Sequence, residues 1–223
     1  MTDLVKAPRH RRRRGSLSRE QIVDAALALA DETGLSGLTM PALARRVDSG
    51  VMTLYGHVES KKDLLEAIVQ RGLADLQFPR PLPLDAASVL SIWGRTLRAT
   101  LLRHPALPAI FIDQPVIGPG ILRGVEALLG ALSRAGYPAD TGVHAIYAVL
   151  IYTVGFVGWE IPRTRNQPQE TYAMTWRQVA AGLPSGDFPL ATSVLDELGT
   201  VAGDRQFELG LTALTAGLAA QHP

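Results

Sequence analysis

Apolar residues recur at helical spacing near the start of the chain and predict a first helix over residues 18–34. The sequence Ser18-Arg-Glu-Gln21 is a capping box, in which a hydroxyl and an amide side chain satisfy the free N–H groups of a helix start. Apolar positions then follow at the 3.6-residue period until Gly34, which marks the predicted end. This helix therefore has one apolar face that needs a partner.

Residues 39–57 predict a second short helix, a tight turn and a third short helix. Thr39 is a favourable N-cap, and Leu43 with Val47 gives the i, i+4 spacing of a helix of about two turns. The turn residues are Asp-Ser-Gly, and we expect Gly50 to adopt a positive φ there.

The third helix is short, and its side chains divide into two sets. Helical spacing points Val51, Leu54 and Val58 inward. It leaves Met52, Thr53, Tyr55 and His57 outward. Two short helices around a turn occur in ordinary helical packing, and they are also the helix-turn-helix geometry that places one helix in a DNA groove.

Three prolines in residues 78–85 interrupt the helical pattern and set the predicted domain boundary. Before it lie an arm of residues 1–17, expected to be disordered, and a helix-turn-helix domain of residues 18–77. After it lies a second domain of residues 78–223. Amphipathic or apolar patterns in that domain predict helices over residues 85–103, 121–136, 141–160 and 204–219.

Two stretches between these helices are broken by turn-forming residues. Prolines divide residues 105–120 into short pieces, and residues 162–189 are polar and turn-rich with a helical piece near 172–181. Gly118, Gly120 and Gly124 follow the strand-like sequence AIFI, as in a phosphate-binding loop. Their spacing departs from the dinucleotide-binding motif, so the pattern favours a simple loop before a helix.

Residues 141–159 contain no charged side chain, and this length would suffice to cross a membrane. Asp140 and Glu160 lie directly beside the segment, and the neighbouring predicted helices are amphipathic. A helix buried within a bundle is therefore the favoured interpretation, and no membrane is expected as a partner.

Composition excludes several classes of site. The 223 residues are 47% hydrophobic and contain no cysteine, so disulfides, thiol nucleophiles and cysteine-based zinc sites are absent. The five histidines do not fall at metal-ligand spacing with one another. We find no nucleophile elbow and no paired-carboxylate motif. The expectation is a protein without metal, cofactor or enzymatic activity.

The basic residues concentrate near the N-terminus. Residues 6–19 carry seven Lys or Arg side chains and no acid, although the formal net charge of the chain is only +1. Such an arm can be a solvated tail and can also bind phosphate or enter a minor groove, and the two interpretations are compatible. The charged N-terminus is unlike a signal peptide, so we expect a cytoplasmic protein.

The stretch from Ser18 to about Leu76 resembles the DNA-binding domain of the TetR family of transcriptional regulators. The residues that carry the resemblance are LSREQIVDAALALADETGLSGLTMPALARRV, MTLYGHV and SKKDLLEAIV. The last helix, FELGLTALTAGL, is similar to that of the tetracycline-repressor branch. The resemblance implies an all-α fold: a three-helix helix-turn-helix domain followed by a helical bundle for ligand binding and dimerisation.

The resemblance also implies partners and contact residues. It predicts a homodimer that binds a palindromic double-stranded DNA operator and a small-molecule effector. The predicted DNA contacts are Thr39, Gly50, Val51, Thr53, Tyr55, His57 and Lys61. Asp48-Ser49 replaces the Gly-Val usual in the family's turn, and Pro41 replaces a base-reading Arg of the tetracycline repressors. The operator sequence therefore cannot be carried over.

Glycines in the last predicted helix suggest the dimer contact. Gly203, Gly210 and Gly217 recur every seven residues beside a stripe that includes Leu214. A glycine inside a helix costs about 0.5–1 kcal/mol relative to alanine, and close approach of another helix would offset that cost. We expect the dimer to form through this helix and the uncharged helix of residues 141–160.

The expected effector follows from what the family's metal site has lost. Tetracycline repressors hold magnesium with histidines and a glutamate, and alignment puts Phe111 and Trp159 at two of those positions. The predicted ligand residues are Trp93, Phe111, Tyr147, Tyr152, Phe156 and Trp159, with His104, Asp113 and Gln114 as polar contacts. Aromatics at this spacing can also be core residues.

The favoured hypothesis is a ligand-responsive repressor, released from its operator by an apolar or aromatic effector without metal. An enzyme that uses the helical cavity and a ligand-independent DNA-binding protein are the alternatives.

Overall fold

The computed structural model describes residues 17–74, 76, 78–79, 82–165, 169–184 and 186–221, and these contain helices and no strand. The all-α prediction is confirmed. The helices are α1 Arg19–Gly37, α2 Met40–Arg46, α3 Val51–Tyr55, α4 Lys61–Leu73, α5 Ala86–Arg103, α6 Leu107–Asp113, α7 Pro119–Arg134, α8 Ala139–Thr164, α9 Gln169–Ala181, α10 Pro189–Thr192, α11 Leu195–Thr200 and α12 Asp204–Ala219.

Helices α1 to α4 form the N-terminal domain. Both hydrogen bonds of the predicted capping box at Ser18 and Gln21 are present. Gly34 has φ +72°, so the regular helix ends there and one further turn follows to Gly37. Helix α1 packs against α4 and α2, with Ile22, Ala26, Leu43 and Ile68 fully or almost fully buried between them. The apolar face predicted for α1 is thus the core of this domain.

The turn between α2 and α3 differs from the prediction. Asp48 adopts the left-handed conformation with φ +49°, whereas Gly50 has φ −85° and caps α3. The expectation that Gly50 supplies the positive φ is wrong. Aspartate tolerates this region better than most residues because its short polar side chain can hydrogen-bond locally.

The C-terminal domain is a bundle centred on α5 and α8, with α6, α7 and α12 packed around them. Trp93 of α5 is buried, and its indole N–H donates to the carbonyl of Ile146 on α8 at 3.2 Å. Arg98 lies between α5, α8 and α12, where it binds the carboxylates of Glu160 at 2.5 Å and Asp204 at 2.8 Å. Phe207 of α12 is fully buried beneath that guanidinium.

Two helix boundaries differ from the sequence prediction. Helix α8 continues to Thr164 and includes Pro162, which was expected to begin a turn-rich stretch. The sequence AIFI, which looked strand-like, belongs to α6. Gly118 is the N-cap of α7, so the glycine pattern lies at a helix start and not in a strand-loop-helix unit.

Helix α8 is long and apolar enough to cross a membrane by length and composition, a test that core helices of soluble proteins also pass. Its buried side includes Ile146, Val149 and Val157. Its outward side includes Tyr147 and Ile151, which are 46% and 69% exposed.

Candidate nucleic-acid interface and ligand cavity

The third helix presents its side chains as the helical period predicts. Leu54 and Val58 are buried, and Val51 is half-buried against the same core. On the outward side Thr53 is exposed, Tyr55 is 46% exposed and Met52 is 82% exposed. Five residues are too few for an isolated stable helix, so packing of its inward side chains holds α3 in place.

The other predicted DNA contacts surround α3. Thr39 is the exposed N-cap of α2, and its hydroxyl accepts from the N–H of Ala42 at 3.2 Å while remaining a hydrogen-bond donor. Gly50 is the exposed N-cap of α3, His57 is half-buried just after α3, and Lys61 is the exposed first residue of α4. The seven residues therefore lie along α2, α3 and the start of α4, and their contacts with DNA stay a prediction.

Ion pairs fix the helices beneath this surface. Arg46 of α2 binds Glu32 of α1 through two hydrogen bonds of 2.6 and 2.7 Å, which lower the pKa of the Glu32 carboxyl. Arg19 binds Asp63 of α4 at 2.7 Å. Most of the basic arm, including residues 9–14, lies outside the described residues.

A cavity of about 450 Å³ lies in the C-terminal domain beside the end of α4, and its wall is mostly apolar. Its volume is within the range of sites for drug-sized molecules. Among the predicted ligand residues, Trp93, Phe111 and Tyr147 line it. The remaining lining is Gln70, Leu73, Ala74, Leu76, Phe78, Gly120, Ile121, Arg123, Gly124, Val125, Ala127, Leu128, Ile146 and Leu150.

Sequence reasoning missed most of that lining. The aliphatic residues of α7 belong to the helix predicted over residues 121–136, and nothing in their spacing separates a cavity wall from a packed core. Arg123 and Gln70 have the longest polar side chains in the cavity lining. Arg123 is exposed and has no ion-pair partner in the part of the chain that the structure describes.

The prediction of one aromatic cavity is corrected for Tyr152, Phe156 and Trp159. These residues line an open groove beside α12, apart from the cavity. The ring of Tyr152 stacks on that of Phe207 at 5.6 Å, and the ring of Phe156 meets Phe207 edge-on at 5.3 Å. Helix α8 is long enough for its aromatics to face different partners, which sequence spacing alone did not reveal.

The predicted polar contacts also lie away from the cavity lining. His104 hydrogen-bonds through Nδ1 to Asp31 of α1 at 2.9 Å, and the second oxygen of Asp31 accepts the N–H of Ala106 at 3.1 Å. Asp31 thereby ties the N-terminal domain to the start of α6. Asp113 is exposed, and Gln114 is half-buried with Nε2 lacking a hydrogen-bond partner among the described residues.

The magnesium site of the tetracycline repressors does not fit this chain. The side chains of Phe111 and Trp159 are not metal ligands. They also lie in different sites, since Phe111 lines the cavity and Trp159 lines the groove. Within the described ranges, no group of three His, Asp or Glu side chains could hold a metal ion.

The glycines proposed for the dimer contact occupy three different environments. Gly203 is the N-cap of α12, and Gly217 is exposed with open space at its Cβ position. A Cβ at Gly210 would fall within 2.3 Å of the Tyr152 hydroxyl of the same chain. The helix that approaches Gly210 closely is therefore α8 of the same chain. The expectation that this glycine makes room for a partner subunit is corrected. Leu214 is half-buried against the core.

Helix α4 joins the two regions. Lys61 begins it at the predicted DNA surface, and Gln70 and Leu73 near its other end line the cavity. A Cβ at Gly72 would fall within 2.7 Å of Leu107 of α6, so α4 and α6 pack closely. A molecule in the cavity would contact a helix that continues into the N-terminal domain.

Both the N-terminal and the C-terminal part of the chain match known protein families. The family model of bacterial regulatory proteins of the tetR family matches residues 22–68, and the model of the tetracyclin repressor-like C-terminal domain matches residues 82–222. The HTH-type transcriptional repressor DrrR1 of Streptomyces coeruleorubidus is 28% identical over 91% of this chain and 77% of that protein.

Two further relatives extend the comparison. The class D tetracycline repressor protein of Escherichia coli is 30% identical over 92% of this chain and 90% of that protein. The crystal structure of the protein ActR from Streptomyces coelicolor in complex with actinorhodin superposes with a TM-score of 0.80 at 27% identity, covering 93% of this chain and 98% of that one.

Proposed function

The chain belongs to the TetR family of transcriptional regulators, and from this premise we propose that it is a ligand-responsive repressor acting as a homodimer on a palindromic operator. Its relatives are named as repressors and regulators of transcription, so the proposal includes no enzymatic activity and a cytoplasmic location. The predicted DNA contacts are the seven residues along α2, α3 and the start of α4.

One observation carries the proposal: α4 belongs to both the helix-turn-helix domain and the cavity wall. Leu64 and Ile68 are buried in the N-terminal core, and Gln70 and Leu73 line the cavity one turn later. A helix transmits displacement along its length because its backbone hydrogen bonds keep it stiff. An effector that favours one position of α4 would therefore change the position of α3 relative to DNA.

The cavity supports an apolar or aromatic effector that binds without metal. Trp93, Phe111 and Leu128 provide apolar and ring surfaces, and Arg123 and Gln70 can orient a polar group. Among its relatives, ActR is described in complex with actinorhodin. A cavity of this volume also argues against a DNA-binding protein that responds to no ligand.

The exposed side of α8 and α12 supports the homodimer. Ile151 of α8 and Leu209 of α12 are 69% and 65% exposed, and the next exposed positions along α12 are Thr212, Ala213 and Ala216. Exposed apolar side chains on neighbouring helices are typical of an interface. A second copy of the chain would cover them with the same surface, as two-fold symmetry requires.

A nuclease-protection experiment tests the proposal directly. Purified protein is mixed with the DNA that flanks its own coding region, and we expect a protected segment with dyad symmetry. Tyr55→Ala should weaken that protection by about tenfold or more, because it removes a hydrogen-bonding ring from the interface.

Phe188 is the matched control, since its exposed fraction of 47% is close to the 46% of Tyr55 and it lies in the C-terminal domain. Phe188→Ala should leave protection unchanged. Affinity that is independent of DNA sequence would contradict the proposal.

A further inference from the structure

The outward side of α3 lacks the side chains that usually identify bases by paired hydrogen bonds. Its sequence is Val-Met-Thr-Leu-Tyr, without Arg, Lys, Asn, Gln, Asp or Glu. Bidentate contacts come from Arg or Lys to guanine and from Asn or Gln to adenine, and Asp or Glu accepts a hydrogen bond from cytosine. A duplex recognised through this helix must therefore be distinguished by other features of its base edges.

Met52 is the largest apolar group that α3 offers to a partner. Its side chain is 82% exposed, more than that of any other large apolar residue among the described residues 17–74, and Thr53 and Tyr55 flank it on the same outward side. The backbone beneath it is fixed by the buried Leu54. A methionine at this place is unbranched and adaptable, so it can fit closely against a small apolar group.

We infer that Met52 selects the operator by contacting the 5-methyl group of a thymine in each half-site. This inference rests on the proposed function, since it requires that α3 enter the major groove. The thymine methyl is the apolar feature of the major-groove edge, and apolar side chains recognise it by contact. Thr53 and Tyr55 add single hydrogen bonds beside it.

The polar groups around α3 are placed to bind phosphate, which leaves base recognition to α3 itself. Lys61 and the N-cap hydroxyl of Thr39 lie at the edges of the surface, where phosphate contacts would position the protein without reading sequence. Met52 lies between these edges on the helix itself. Selectivity then comes from the loss of apolar contact when the methyl group is missing, which costs less than an unpaired hydrogen bond.

Replacement of thymine by deoxyuridine tests the inference because it removes the methyl group and preserves base pairing. A duplex is first enriched from a random pool with the full chain, and each thymine of one half-site is then replaced in turn. We expect one position at which deoxyuridine lowers affinity about three- to tenfold. Met52→Ala should bind the thymine duplex more weakly and should no longer distinguish the two bases.

Leu190 provides the matched control, because it is 83% exposed and lies on α10 in the C-terminal domain. Leu190→Ala should retain the full sensitivity to deoxyuridine. The inference is overturned if the unaltered protein tolerates deoxyuridine at every position, or if Met52→Ala keeps the sensitivity. Failure to enrich any duplex would instead remove the proposed function, and this inference with it.

Discussion

At the scale of single residues, Asp48 combines an uncommon backbone conformation with a negative charge beside the helix proposed to bind DNA. Among the residues that the structure describes, Asp48 is the non-glycine residue with a positive φ. Its side chain is exposed in the turn before α3. Asparagine adopts this conformation at least as well, and a neutral side chain would not repel a DNA phosphate.

We therefore predict that Asp48→Asn raises operator affinity about two- to fivefold at low salt, with a smaller gain as salt screens the charge. Fluorescence anisotropy with a labelled operator measures the change across a salt series. Asp113→Asn is the control, since Asp113 is exposed at the end of α6. Equal affinities of Asp48→Asn and the unaltered protein at every salt concentration would show that this carboxylate does not face DNA.

The same turn shows how far residue-level prediction reaches. The inward positions of Leu54 and Val58 follow from helical spacing alone, and the structure confirms them. The assignment of positive φ to Gly50 failed because two residues of the turn could adopt it, and the packing of α2 against α3 decides between them.

At the scale of elements, the contact between α8 and α12 depends on a side chain that fits over a glycine. The Tyr152 hydroxyl donates to the carbonyl of Phe207 at 2.8 Å, and its ring lies against the backbone at Gly210. Burial raises the pKa of that hydroxyl, which remains protonated at neutral pH. Gly217 lies two turns later on α12 and has open space around it.

We predict opposite effects for alanine at these two glycines. Gly210→Ala should lower the free energy of unfolding by about 1–3 kcal/mol, since the added Cβ displaces the Tyr152 ring. Gly217→Ala should leave it unchanged or raise it by up to about 1 kcal/mol through helix propensity. Thermal unfolding of both variants at matched protein concentration measures the difference. A Gly210→Ala variant as stable as Gly217→Ala would contradict the packing described here.

Glycine spacing could predict a close approach in α12 and could not identify the partner. A heptad of glycines is compatible with contact inside one chain or between two, and only the position of Tyr152 on α8 assigns Gly210 to the first. The predicted end of α8 was also too early, because a proline usually ends a helix. In the structure two further helical residues follow Pro162.

At the scale of the whole molecule, the exposed apolar residues of α8 and α12 predict the assembly. Ile151→Glu would bury a charge within the expected interface and should produce monomers. Those monomers should bind the operator at least tenfold more weakly, because a dimer gains from two linked half-site contacts. Sedimentation velocity and operator titration measure the two effects.

Leu190→Glu is the control for Ile151→Glu, since Leu190 is exposed on α10, which is neither of the two helices expected at the interface. It should remain dimeric. Dimers of unchanged affinity in the Ile151→Glu variant would show that the interface lies elsewhere.

The cavity is the part of the molecule that sequence could not predict in detail. Its wall combines residues of α4, α5, α6, α7 and α8, which are distant along the chain, and its shape depends on how those helices cross. Of the residues that the family resemblance suggested, Trp93, Phe111 and Tyr147 line the cavity. The resemblance failed for His104, whose partner Asp31 belongs to the other domain.

The central claim is that occupation of this cavity releases DNA without metal. The direct measurement follows tryptophan fluorescence and the anisotropy of labelled operator together, in EDTA, as aromatic compounds including actinorhodin and tetracycline are added. We predict that compounds which alter the fluorescence through Trp93 lower operator affinity about ten- to a hundredfold. Gly124→Phe, whose added ring enters the open space at that Cβ position, should lose the fluorescence response and the release together. Compounds that bind in the cavity and leave the operator complex intact, or release that appears only after magnesium is added, would contradict the account.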